Sequence, residues 1–442
     1  MEKSGIWYKF KAWSWGRRLA AILALWLAGY TLLYVVWPRL TLIGRSTEHK
    51  VHVAFGFHAN LYHSFRIDTN DEAGFGKDIR VIRHTIKVFD RLNKAGIPAK
   101  AVWDIENLFS LEETLPKHAP DIIRDIKRRI DANGDEVILM SYNNGLVSAM
   151  TEREFNDSIK RAISNSRGSG VQDVFGRWTP VVRPQEMMTT PGNFKLYKDL
   201  GIQAISLYNS AITFDTFRVF VPELTREQAH NPLRLQVKST GQDMIVIPTY
   251  NIGDLVENVS LGRWVKELHR EQLRGNINRD VLVFINFDAD DQYWVGLDLP
   301  KHLKFLPNTG GIEKLIQEVA GLDYVQFTNL DEYLKHNKPA GDFYFGQDTA
   351  DGSFNGYNSW SEKSYVHEYW TDLMNDRRAD RLVRAVYSYL GRTVPAAVQS
   401  DLDTAYERRL RLLSTTNFGM ATPYLARARE RVVEQLIQVM NS

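Results

Sequence analysis

The chain has 442 residues, 44% of them hydrophobic and 24% charged, with 55 basic against 53 acidic side chains. That composition excludes disordered, collagen-like and coiled-coil classes and provides for a sizeable core. Cysteine is absent, which removes disulfides, zinc–thiolate sites, iron–sulfur clusters and thiol nucleophiles together, and fits a route into an oxidising compartment.

Residues 1–18 carry Lys3, Lys9, Lys11, Arg17 and Arg18 against Glu2. Residues 19–37 follow without a single charge, LAAILALWLAGYTLLYVVW. At 1.5 Å per residue this run spans about 28 Å, the thickness of a bilayer core. Trp13 and Trp15 precede it, and Tyr34 and Trp37 close it, as an interfacial aromatic belt. The reading is a cytoplasmic basic tail (1–18), an uncleaved single-pass anchor in the inner membrane (19–37) and a linker (38–50), with the rest periplasmic or extracellular. Without the basic tail the remainder is slightly acidic, so no nucleic-acid surface is implied.

From residue 51 short apolar runs alternate with helical stretches. Strands are expected at 51–57 (VHVAFGF), 99–102, 136–140, 177–182, 204–207, 244–248, 281–287 and 324–327. Helices are expected between them at 79–95, 120–132, 152–164, 194–200, 261–274 and 311–319. Strand–helix alternation over residues 51–340 predicts an α/β fold with a parallel sheet, and seven or eight strands favour a closed barrel. Residues 341–442 change texture. A Gly/Asp/Asn-rich loop at 341–361 precedes helical stretches at 362–390, 397–413 and 423–440, read as a helical C-terminal domain.

A parallel barrel works at the C-terminal ends of its strands. There the sequence places His58, Asn60 and His63; Trp103, Asp104 and Glu106; Tyr142, Asn143 and Asn144; Arg183, Gln185 and Glu186; Tyr208 and Asn209; Tyr250 and Asn251; and Asp288, Asp290 and Asp291 ahead of Gln292, Tyr293 and Trp294. Amides and carboxylates for hydroxyls, with rings for C–H faces, make a carbohydrate cleft. Two carboxylates on separate strand ends are the minimum for glycosidic cleavage. On spacing alone Glu186 also reads as a surface residue paired with Arg183, and His58 as a satisfied core histidine. Three crowded aspartates after 281–287 exceed what loop capping needs, since like charges repel unless one is protonated. The offsets of a calcium loop are missing.

At these strand ends the sequence resembles glycoside hydrolase family 57, within the wider group that includes the family 38 α-mannosidases. His58-Ala59-Asn60-Leu61-Tyr62 resembles the first-strand motif, with Asn60 in place of a second His. Gly176-Arg177-Trp178-Thr179-Pro180 through Pro184-Gln185-Glu186 resembles the segment of the nucleophilic Glu. Phe287 to Trp294 resembles the strand end of the acid/base Asp, and Phe354 to Trp360 the aromatic entry to the helical part. The resemblance implies a (β/α)7-type barrel, a retaining mechanism and no obligatory metal or cofactor. It implies Glu186 as nucleophile and Asp288 as acid/base, with Asp290 the fallback. His58 would hydrogen-bond the sugar. Asn60, Trp103, Tyr142, Trp178, Arg183, Asp290, Asp291, Trp294 and Trp360 are expected to bind or shape the substrate.

Two other readings stay open. A metal-dependent polysaccharide deacetylase would need an Asp and His ion site, for which only His58 and His63 offer themselves. A non-catalytic subunit would bind a polysaccharide beside its synthesis or export proteins. Each has a polysaccharide and the bilayer as partners.

Overall fold

The computed structural model describes residues 14–61, 76–209, 224–238, 240–297, 299–344, 349 and 364–414. Trp360, Tyr62, His63 and the expected helix at 423–440 lie outside the described residues.

The sheets are built from ten short strands among the described residues. These are β1 (Val51–Ala59), β2 (Ala101–Ile105), β3 (Glu136–Ile138), β4 (Val181–Val182), β5 (Ala204–Tyr208), β6 (Leu233–Val237), β7 (Gln242–Thr249), β8 (Val281–Asp288), β9 (Val325–Phe327) and β10 (Asp342–Tyr344). Of these, β1 to β5 are buried along their whole length. β8, β1, β2 and β3 pair in parallel, as do β4, β5 and β7. Two seams close the ring. Leu139 bridges Val182 after β3, and Tyr250 after β7 bridges Ile285 of β8. Backbone bonds from Leu139 N to Val181 O and from Tyr250 N to Phe284 O, both 2.8 Å, tie these seams. The result is a closed barrel in the order β1-β2-β3-β4-β5-β7-β8, with seven strands, as the sequence predicts.

β6 and β10 were not expected from the sequence. β6 runs antiparallel to β7 and carries β10 on its outer edge. Its burial alternates, so it reads as a half-exposed hairpin arm rather than a barrel strand. β9 pairs with only the first three residues of β1, below β2.

The period of two along each strand sorts the side chains. One cluster takes Ala54, Val102, Ile138, Val181, Ala204, Ile247, Leu282 and Phe284, at least one residue from each of the seven strands, and fills the barrel interior. The intervening residues, such as Val53, Phe55, Phe57, Trp103, Ile105 and Phe287, join the larger core under the helices. Those helices, among them Gly76–Lys94, Pro120–Asn133, Glu152–Ile163, Leu261–Arg274 and Gly311–Ala320, match the expected positions within a few residues.

Ser364–Tyr389 and Ala396–Leu412 pack on each other over a small core of Leu373, Tyr406, Leu410 and Leu412. A buried ion network fastens them to the barrel. Glu154, on the helix Glu152–Ile163, accepts from Arg377 Nε at 3.0 Å and lies 2.9 Å from Arg409 Nε, while Arg409 also pairs with Asp376. Arg377 and the other cations hold the Glu154 carboxyl below its ordinary range, against the burial that would raise it.

At the N-terminus, Trp15–Tyr34 is the one helix among the described residues long and apolar enough to cross a membrane. None of it is buried in the protein, and Trp26, Tyr30 and Tyr34 stack along one side.

Candidate functional site

Extending the inward-facing alternation to the C-terminal ends of the strands brings His58, Asp104, Arg183, Ser206, Tyr208, Thr249, Asn286 and Asp288 to one mouth. His58 stands between two aspartates at equal height, since it is the register partner of Asp104 on β2 and of Asp288 on β8. Asp104 is the hub. Its Oδ2 accepts from His58 Nδ1 at 2.8 Å, its Oδ1 accepts from Asn286 Nδ2 at 3.2 Å, and Arg183 Nε lies 3.6 Å from Oδ2. Asp104 is fully buried and His58 nearly so. A charge this far from water persists only when paired and hydrogen-bonded.

Arg183 leaves β4 and donates from Nη2 to the Tyr208 hydroxyl at 3.4 Å. Burial works against its charge, but Tyr208, Asp104 and Asp288 more than offset this and raise its pKa. The guanidinium is thus within electrostatic reach of both aspartates that flank His58.

Glu186 follows three residues later, in the turn Gln185–Met187. Its backbone sits at φ 53° and ψ 26°, and Met187 at φ 53°, two successive non-glycine residues in the left-handed region. Each such residue costs about 1–2 kcal/mol. The turn is held by Thr349, whose hydroxyl donates to Met187 O at 2.6 Å and whose backbone pairs with Thr189. Gln185 Nε2 donates to Glu186 Oε1 at 2.8 Å. Around the ring, β4 lies three strands from β8 one way and four the other, so Glu186 and Asp288 follow strands on opposite sides of the barrel.

Asp288 ends β8 as its only exposed residue. Burial pushes the carboxyl of Asp290 well above the carboxylate range, and the charges of Asp288, Asp78 and Asp291 add to it. Asp291 instead accepts the Tyr293 N–H at 2.7 Å, a capping role in the loop.

The aromatic expectations need correction. Trp103 points out of the barrel, buried against Phe57, with its Nε1 on Asp135 at 3.1 Å. Trp294 is fully buried, stacked on Phe287 with centroids 3.9 Å apart, and donates to Asp288 O at 2.8 Å. It supports the acidic loop from behind. Trp178 precedes β4 and so lies at the opposite end of the barrel, where Thr179 N bonds Val137 O. Tyr142 spends its hydroxyl on Glu112 at 2.6 Å. Asn60 follows β1 at the mouth, and its Oδ1 is buried without a partner among the described residues.

Asp104, Asn286 and Tyr208 also stand at this mouth, although the family resemblance gives none of them a role. Strand parity would have found all three, Tyr208 among them as the inward successor of Ala204 and Ser206 on β5. On β2 it selects Asp104 rather than Trp103, and on β8 it selects Asn286 together with Asp288. Among the described residues no three His, Cys, Asp or Glu side chains gather as a metal-binding group.

The fold is similar to that of solved glycoside hydrolase family 57 branching enzymes. Solved structures similar in fold include a 4-alpha-glucanotransferase from Thermococcus litoralis, with a TM-score of 0.58 and 13% identity, covering 89% of this chain and 60% of that one. They also include a GH57 branching enzyme from Thermococcus kodakaraensis, at 0.56 and 12%, covering 88% of each chain. An alpha-amylase from Thermotoga maritima matches at 0.53 and 10%, covering 89% of this chain and 92% of its own. The chain thus spans about 60% of the length of the glucanotransferase. No protein-family model matches it, and no curated protein matches it in sequence.

Proposed function

We propose that the protein is a membrane-anchored, exported glycoside hydrolase or glycan transferase that cleaves a polysaccharide with retention. Glu186 attacks the anomeric carbon and forms a glycosyl-enzyme. Asp288 protonates the departing oxygen, then takes a proton from water or from an acceptor hydroxyl as that oxygen displaces Glu186. Asp290, whose carboxyl is pushed up by burial and by the neighbouring aspartates, is the second candidate for the acid. His58 and Arg183 bind hydroxyls of the sugar between them.

One observation carries this reading. Glu186 is held in a strained turn after β4, a strand across the barrel from β8 and Asp288, and such strain persists where the surrounding structure imposes it for a task. The fold shared with a glucanotransferase, a branching enzyme and an alpha-amylase supports a glycan as substrate.

The apolar helix Trp15–Tyr34 and the basic residues before it support a single-pass anchor with a cytoplasmic N-terminus and the barrel on the far side. Tethering there raises the local concentration of the site where surface polysaccharides emerge, beside their synthesis or export proteins. The substrate class is accordingly a surface or secreted polysaccharide.

The test is incubation of the detergent-solubilised full chain with a panel of α- and β-linked oligosaccharides, read by chain length. A changed length distribution that disappears in Glu186→Gln supports the proposal. Binding without any cleavage, unaltered by that substitution, contradicts it and selects a non-catalytic binding subunit.

A further inference from the structure

Asp104 hydrogen-bonds His58 and Asn286 and pairs with Arg183 Nε at 3.6 Å, and each of the three keeps an unused polar atom. Arg183 Nη1 and Asn286 Oδ1 are buried and have no hydrogen-bond partner among the described residues. His58 bonds Asp104 through Nδ1 alone, which leaves Nε2. A cluster that served only to hold strands together would satisfy those atoms, because a buried unpaired donor or acceptor costs about 1–3 kcal/mol. Gly56 fits the same pattern. It is the inward residue one step below His58, and the Asn286 amide occupies the space that a Cβ there would need.

We propose that Asp104 is the positioning residue of the mouth. It holds the imidazole of His58 with Nδ1–H toward itself and Nε2 toward the cleft, and it fixes Arg183 and Asn286 so that Nη1 and Oδ1 face the same ligand. Two acceptors and one donor set round a ring in this way suit a compound with neighbouring hydroxyl groups. A carboxylate at this place accepts and does not donate, so it selects the His58 tautomer. An asparagine at the same place both donates and accepts and no longer makes that selection. This inference deepens the glycan-cleaving reading and rests on it only for the activity arm of the test.

The test uses the full chain in detergent, labelled with nitrogen-15 in its histidine rings, with His58→Gln to assign the signal. The expected wild-type pattern at neutral pH has the proton on Nδ1 of His58. A His58 ring that carries a proton on Nε2 at neutral pH, with or without one on Nδ1, overturns the proposal, and this measurement needs no variant at Asp104. In Asp104→Asn, loss or mixing of that pattern is expected, with kcat on a cleaved oligosaccharide down about 10-fold or more, because the group that fixes the tautomer of a working histidine is lost. A folded Asp104→Asn protein with wild-type kcat and an unchanged ring pattern overturns it as well. If the wild type cleaves no glycan at all, the hydrolase reading fails, while the ring pattern still decides the role of Asp104.

Discussion

The side-chain amide of Asn286 on β8 lies over the bare Cα of Gly56 on β1, in the space a Cβ would take. From there its Nδ2 reaches Asp104 Oδ1 at 3.2 Å. Gly56→Ala is therefore expected to displace Asn286, loosen its bond to Asp104 and cost about 1–3 kcal/mol, as overpacking in a filled core does. Denaturant unfolding of the variant checks the cost, and a loss of less than about 0.5 kcal/mol would mean that Asn286 moves aside freely.

Glu186 pays for its position in backbone strain, and two substitutions separate strain from chemistry. Glu186→Gln is expected to abolish turnover and leave the melting temperature close to wild type. Glu186→Gly is expected to abolish turnover too, while the protein becomes at least as stable, because glycine adopts φ 53° without penalty. Thermal unfolding beside an activity assay reads both.

Glu154 is buried among Arg377 and Arg409 at the junction of barrel and helical pair. Glu154→Ala leaves both guanidinium groups without that partner and is expected to cost about 3–5 kcal/mol, the range for breaking a buried pair from one side. Because pairing holds the Glu154 carboxyl low, its contribution is present above the ordinary carboxylate pKa and is lost as the pH falls through the depressed value. Equilibrium unfolding of wild type and variant at pH 7 and in acid checks both statements.

Glu106 has the opposite sign. Burial pushes its carboxyl from 4.5 up to about 8, although the Phe109 and Ser110 N–H groups favour the charged form. The folded state then holds a proton that the unfolded chain has lost, so this group makes stability fall as pH rises from about 4.5 to about 8. Glu106→Gln is expected to flatten that part of the stability–pH curve. A curve that keeps its full slope in the variant contradicts the assignment.

The barrel was legible because its strands are short apolar runs separated by amphipathic helices, and β8, VLVFINFD, is buried along all but its last residue. β6 and β10 escaped notice because LRLQV alternates weakly and DFY is three residues long, and pairing with β7 and β6 rather than local pattern makes them strands. At the site, polar residues at strand ends gave the right neighbourhood, but aromatic residues there misled. Trp103 and Trp294 are large and adjacent to Asp104 and the acidic loop, yet both are buried away from the interior. A one-residue step along a strand reverses the face, so proximity in sequence to a working residue argues against sharing its surface. Asp104 became visible as a hub only once β1, β2, β4 and β8 were brought together.

The central claim is that Glu186 becomes covalently bonded to sugar. The full chain should be incubated with a panel of 2-deoxy-2-fluoroglycosyl fluorides, which slow the release of such an intermediate, then digested and mapped by mass spectrometry. The account predicts one fluorosugar on the peptide containing Glu186 and none on Glu186→Gln. A label on Asp288 or Asp290 instead, with the Glu186 peptide unmodified, would contradict it.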